Sequence, residues 1–79
     1  MTTVFSQPGC FRCRQTTATL DRLGKEYQVL NIREDEDAAA QLEALRDEEG
    51  KPYMSLPVVL TSGGEHWNGH NPDKLEALA

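Results

Sequence analysis

The two cysteines of the chain, Cys10 and Cys13, stand at a change of pattern, and that junction constrains the fold more than any other feature. Before them, Thr2-Thr3-Val4-Phe5 is β-branched and aromatic, a short strand ended by Gln7-Pro8-Gly9. After them, from Phe11 to Leu23, Cys13, Thr16/Thr17, Leu20 and Leu23 recur at the three- and four-residue steps of one helix face. Gly24 fits the C-terminal cap of that helix. A strand that hands over to a helix through a tight turn opens a β-α-β unit, and Tyr27-Gln28-Val29-Leu30-Asn31-Ile32 reads as its second strand.

The remaining chain continues the alternation. Glu34-Asp35-Glu36-Asp37 begins a second helix, its carboxylates opposite the positive end of the macrodipole. Ala38, Leu42 and Leu45 form its buried stripe, and Gly50 with Pro52 ends it. Val58-Val59-Leu60-Thr61 is the third strand, and Ser62-Gly63-Gly64 turns into a short fourth near Glu65–Trp67. Asn71-Pro72 supplies an N-cap and a first-turn proline for a last helix running to Ala79, with Leu75 and Leu78 facing the core. The order is β-α-β-α-β-β-α: an α/β class with a four-stranded mixed sheet and three helices. Two β-α crossovers imply parallel connections, and the terminal hairpin adds antiparallel strands.

Seventy-nine residues make one domain, 1–79. With 38% hydrophobic and 27% charged residues the chain is globular, neither collagen-like nor disordered. The longest apolar run, Val58-Val59-Leu60, is far too short for a membrane span. Met1-Thr2-Thr3-Val4-Phe5 lacks the basic and long apolar regions of a secretory signal, so the cytoplasm is the expected compartment. The net charge of −5 is uneven: residues 1–25 carry +3 and residues 26–79 carry −8. An acidic chain with no long basic stripe is poorly suited to nucleic acid. With no obvious exposed apolar stripe, the chain is expected to be a monomer.

Cys10 and Cys13 are too close in sequence to staple a domain, which points to chemistry rather than architecture. Cys10 falls where a capping side chain accepts from a free N–H two or three residues on, at a partially positive helix end. A thiolate is stabilised there, and thiol pKa values in such motifs fall to about 7 or lower. Residues three apart on a helix face one way, so a disulfide opens and closes with little backbone motion. Arg12 and Arg14 add nearby positive charge, a minor effect once screened. The mechanism that follows makes Cys10 the nucleophile on a partner disulfide. Cys13, more buried, resolves the mixed disulfide.

A competing reading is a non-catalytic zinc-binding module. His66-Trp67-Asn68-Gly69-His70 has the spacing to join Cys10 and Cys13 in a Cys₂His₂ site. Against it, 52 residues separate Cys13 from His66, far beyond the zinc-finger interval, and the expectation is no metal. Leu56-Pro57 just before Val58 is an ordinary strand start for proline. A cis bond there would turn the backbone toward a neighbouring site. Trp67 reads equally as a docking surface or as a half-buried strand aromatic.

Taken together, the chain resembles the NrdH-redoxins, glutaredoxin-like proteins of the thioredoxin superfamily, from about Val4 to Leu78. The resemblance is carried by Val4-Phe5-Ser6-Gln7-Pro8-Gly9-Cys10-Phe11-Arg12-Cys13, Leu20-Asp21, Tyr27 leading to Asn31-Ile32, Leu56-Pro57-Val58-Val59, and His66-Trp67-Asn68-Gly69 with Pro72-Asp73. The Trp-x-Gly segment before Pro-Asp is its most specific piece. It implies a thioredoxin/glutaredoxin-like fold with Pro57 cis and facing Cys10. It implies a dithiol electron donor to the large subunit of a class Ib ribonucleotide reductase, recharged by thioredoxin reductase. Electrons would then come from NADPH through that flavoprotein, with no cofactor bound beyond the redox-active disulfide. Partner contacts would fall on Phe11, Arg12, Leu56, Pro57, Val58, Trp67, Asn68 and Gly69, the Pro57 backbone pairing with an extended partner segment.

The chain departs from that pattern in places. Gln7 stands where the family usually has Lys, Phe11-Arg12 where it has Met-Gln or Val-Gln, and Asn31 where it has Asp. Asn68, His70 and Asn71 replace a serine, an aromatic and an arginine. The alternative within the same chemistry is a glutaredoxin that uses glutathione or another low-molecular-weight thiol. Such proteins favour Cys-Pro-Tyr-Cys and an acidic pair after the Gly-Gly turn. Here Gly63-Gly64 is followed by Glu65-His66-Trp67.

Overall fold

Strand β1 (Thr2–Ser6) lies inside the sheet, and its first four residues are buried. A computed structural model describes residues 1–78 of the chain. Helix α1 (Phe11–Arg22), strand β2 (Tyr27–Asn31), helix α2 (Glu36–Ala44), strand β3 (Val58–Leu60), strand β4 (His66–Asn68) and helix α3 (Pro72–Glu76) follow. The strands are ordered β2-β1-β3-β4, with β1 parallel to β2 and antiparallel to β3, and β3 antiparallel to β4.

Alternation along the strands divides the core in two. Val4 and Val59 point to one face, where they meet Leu20 of α1, Trp67 and Leu75 of α3. Phe5 and Val58 point to the other, where Ala38 of α2 covers them with Leu30, Ile32, Leu42 and Leu45 at the margin. α1 and α3 therefore lie on one face and α2 on the other, which gives three layers with the sheet in the middle. Among the described residues no helix is long and apolar enough to cross a membrane.

Three expectations need correction. The second crossover does not deliver a parallel strand: Asn31 pairs with Ser6 and Val58 with Phe5, so β2 ends and β3 begins at the same end of the sheet. The chain between them must leave and return, and the stretch after α2 makes the return. Accordingly α2 stops at Ala44 rather than near Gly50, with Leu45 already extended at ψ 142°. Beyond it Arg46 bridges Pro52, and Asp47 Oδ1 accepts from the N–H groups of Glu49 and Lys51. Those local side-chain bonds offer the backbone a turn in place of further helix. The last helix ends at Glu76 with Ala77 as its cap; its expected end, Ala79, lies outside the described residues.

Candidate active site

The end of the sheet where β1 hands over to α1 gathers the reactive groups. Gly9, at φ +77°, takes the left-handed turn that side chains disfavour, and Cys10 follows in extended conformation at φ −86°, ψ 103°. Cys10 is the N-cap of α1: its Sγ accepts from the N–H of Cys13 at 3.2 Å, and its carbonyl accepts the first helical bond from Arg14 N–H at 3.3 Å. At the other end Gly24, at φ +68°, closes the helix by donating to Asp21 O. Cys10 and Cys13 are joined as a disulfide with Cα atoms 5.3 Å apart. Cys10 is half-buried, whereas Cys13 is only 3% exposed on the core face of α1. Cys10 is thus the sulfur more open to an approaching disulfide, and Cys13 the one held in the core.

The peptide bond Leu56-Pro57 is cis, and Pro57 is fully buried at the head of β3. Because Val58 pairs with Phe5, Pro57 sits at the same sheet end as the Cys10 turn. Its carbonyl accepts from Gly69 N–H at 2.8 Å, which ties the segment after β4 to it. Val58 is flanked by Phe5 on one side and Asn68 on the other, so neither its side chain nor its backbone is free for a partner. Of the expected pairing edge, Leu56 is what precedes the ladder. Phe11 is 64% exposed with the Arg14 guanidinium 6.0 Å from its ring centroid, and Arg12 is exposed beside it. Asn68 is exposed and donates from Nδ2 to Ser55 Oγ at 2.7 Å.

Trp67 is corrected from a docking residue to a core residue. It is 7% exposed among Val4, Leu20, Val59 and Leu75, with Lys74 Nζ 5.1 Å from its ring centroid. Its indole N–H is buried without a partner among the described residues. The Cys₂His₂ alternative is not assembled either. His66 Nδ1 lies 2.6 Å from Tyr53 Oη, and His70 Nδ1 lies 3.2 Å from Thr16 Oγ1. Among the described residues no three of His, Cys, Asp or Glu come together as a metal site. Burial pushes the Tyr53 phenol up, with the charges of Asp47 and Glu48 adding to it.

Two contacts were invisible in the linear chain. Arg33 Nε donates to Gln7 Oε1 at 3.1 Å, and Asn31 Oδ1 accepts from Arg33 N–H at 2.9 Å to set that turn. A guanidinium thus stands beside the position where related chains carry lysine. Thr16 is the other partner missed, its fully buried hydroxyl meeting His70 from a position 54 residues away.

The glutaredoxin family model matches residues 2–67. The chain belongs to the glutaredoxin family. It is 30% identical over 76 residues to the gene 56 protein of Mycobacterium phage D29, a match covering 96% of this chain and 79% of that protein. It is 29% identical to the glutaredoxin-like protein NrdH of Salmonella typhimurium, covering 96% and 85% of the two chains. Among solved structures, the NrdH-redoxin of Escherichia coli superposes with a TM-score of 0.80 at 26% identity, covering 99% and 93%. That protein is described as glutaredoxin-like with a thioredoxin-like activity profile. Kinship, the thioredoxin/glutaredoxin-like sheet and the joined cysteine pair agree: the chain is a thiol-disulfide oxidoreductase of the glutaredoxin family, similar to the NrdH-redoxins.

Proposed function

We propose that this oxidoreductase is a dithiol electron donor recharged by thioredoxin reductase, with electrons drawn from NADPH, and that its acceptor is the large subunit of a class Ib ribonucleotide reductase. The carrying observation is the Trp-x-Gly pattern at Trp67 and Gly69, the most specific piece of the NrdH-redoxin resemblance, with Gly69 N–H anchored to the carbonyl of cis Pro57. Glu65-His66 after the Gly63-Gly64 turn further supports it, since the acidic pair that would hold the amino group of glutathione is missing. A monomer in the cytoplasm fits this role, because a cysteine pair that must cycle needs a reducing compartment.

In the reaction, Cys10 thiolate attacks one sulfur of the acceptor disulfide and displaces the other as a thiol. Cys13 then attacks the Cys10 sulfur, closing the internal disulfide and releasing the reduced acceptor. The test is reduction of insulin disulfides coupled to NADPH oxidation, comparing thioredoxin reductase with glutathione plus glutathione reductase. Turnover is expected with the first and background with the second; turnover with glutathione alone overturns the assignment. Support of ribonucleotide reduction by a class Ib enzyme tests the acceptor separately.

A further inference from the structure

His70 is a titratable side chain that the dithiol reaction, as described, leaves unused. It lies half-buried between Gly69, whose N–H donates to Pro57 O, and Asn71, the N-cap of α3. Its Nδ1 is 3.2 Å from Oγ1 of Thr16, which is fully buried. A threonine hydroxyl has one proton to give, and Thr16 gives it to Arg12 O at 2.9 Å. The hydroxyl therefore accepts from His70, so Nδ1 carries a proton and Nε2 is the atom that gains or loses one. Thr16 follows Cys13 by three residues on the same buried face of α1. The imidazole is thus docked on the residue that stands one helical turn after Cys13.

The charges on the surrounding elements leave that imidazole uncompensated in the oxidised state. α1 contributes Arg12, exposed, and the cysteine pair itself. α3 contributes Asp73, exposed, and Lys74, which sits over Trp67; on β4, His66 is engaged by Tyr53. The one ion pair among the described residues is Lys51 with Glu49, so none of their carboxylates lies within ion-pair distance of His70. The negative charge this site acquires is the one that reduction creates.

We propose that His70 holds one of the two protons taken up when the Cys10–Cys13 disulfide is reduced. A partner dithiol supplies two electrons and two protons and becomes a disulfide, while the Cys10–Cys13 bond breaks. Cys13 keeps one proton as a thiol, Cys10 is left as the thiolate, and the second proton goes to Nε2 of His70. His70 is a positioning residue, acting on the sulfur pair through its charge and through Thr16. The inference rests on the dithiol chemistry alone and not on which reductase or acceptor serves the chain.

The chain has two histidines, so His66 is an internal reference for an NMR titration of the intact protein in both redox states. On reduction the midpoint of the His70 titration is expected to move to higher pH, with that of His66 unmoved. Identical His70 titrations in the oxidised and reduced forms overturn the proposal. Linkage requires the reciprocal effect: His70→Gln and His70→Phe raise the Cys10 thiol pKa, read from thiolate ultraviolet absorbance, while His66→Gln does not. Should one His70 variant fail to fold, the other and the titration of the unaltered protein still decide. An unchanged thiol pKa in a folded His70 variant counts against it.

Discussion

The first two helices begin with the same geometry and put it to different uses. Cys10 Sγ accepts from Cys13 N–H at 3.2 Å at the start of α1, and Asp35 Oδ1 accepts from Ala38 N–H at 3.1 Å at the start of α2. α2 reinforces its cap with Glu36 and Asp37, whereas the first turn of α1 carries no acidic residue. At α2 the cap is a carboxylate oxygen that holds the helix whatever the redox state. At α1 the cap is sulfur, a weak acceptor as a disulfide and a strong one as a thiolate. One capping position therefore stabilises structure, and the other couples helix formation to the redox state.

The largest effect expected from this contrast is on turnover. Cys10→Ser brings insulin reduction to background, yet leaves the reduced fold within about 1 kcal/mol, because serine is itself a good cap. Cys13→Ser traps a mixed disulfide with the acceptor on a non-reducing gel; trapping by Cys10→Ser instead would reverse the two roles. Asp35→Ala gives the opposite profile, a loss of about 1 kcal/mol in urea unfolding with turnover preserved. If Asp35→Ala abolished turnover with the fold intact, the contrast between the two caps would fail. Replacing Arg12 and Arg14 by Ala slows turnover by less than about twofold, and added salt removes the difference.

The smallest effect lies at the far end of α1. Tyr27 Oη donates to Asp21 Oδ1 at 2.8 Å, and that bond, then burial, then the Asp21 charge, push the phenol above its ordinary value. A pKa raised by folding contributes stability that is complete below the unfolded value, about 10, and lost as pH rises through the folded one. Tyr27→Phe should therefore flatten the alkaline fall in stability measured by urea unfolding, with turnover unchanged.

What the sequence revealed follows the range of the forces. Cys10 and Asn71 were legible as caps, and the Cys10–Cys13 pairing with them, because each depends on residues three apart. The start of α2 was legible to within two residues, but its end was not. Asp47 folds back on Glu49 and Lys51, and a helical pattern through Leu42 and Leu45 does not disclose that competition. The docking of Thr16 on His70 and of Arg33 on Gln7 joins distant positions, so no local pattern announces it. Trp67 was ambiguous because β4 is three residues long, too short for alternation to say which side faces the core.

The sulfur bridge spans three positions, with its two Cα atoms 5.3 Å apart, and so encircles almost no chain. Opening it releases little unfolded-state freedom, in contrast to a long covalent ring. The covalent ring itself therefore adds little to the fold, and electron traffic reaches the scaffold through the strength of one helix cap rather than through a released loop.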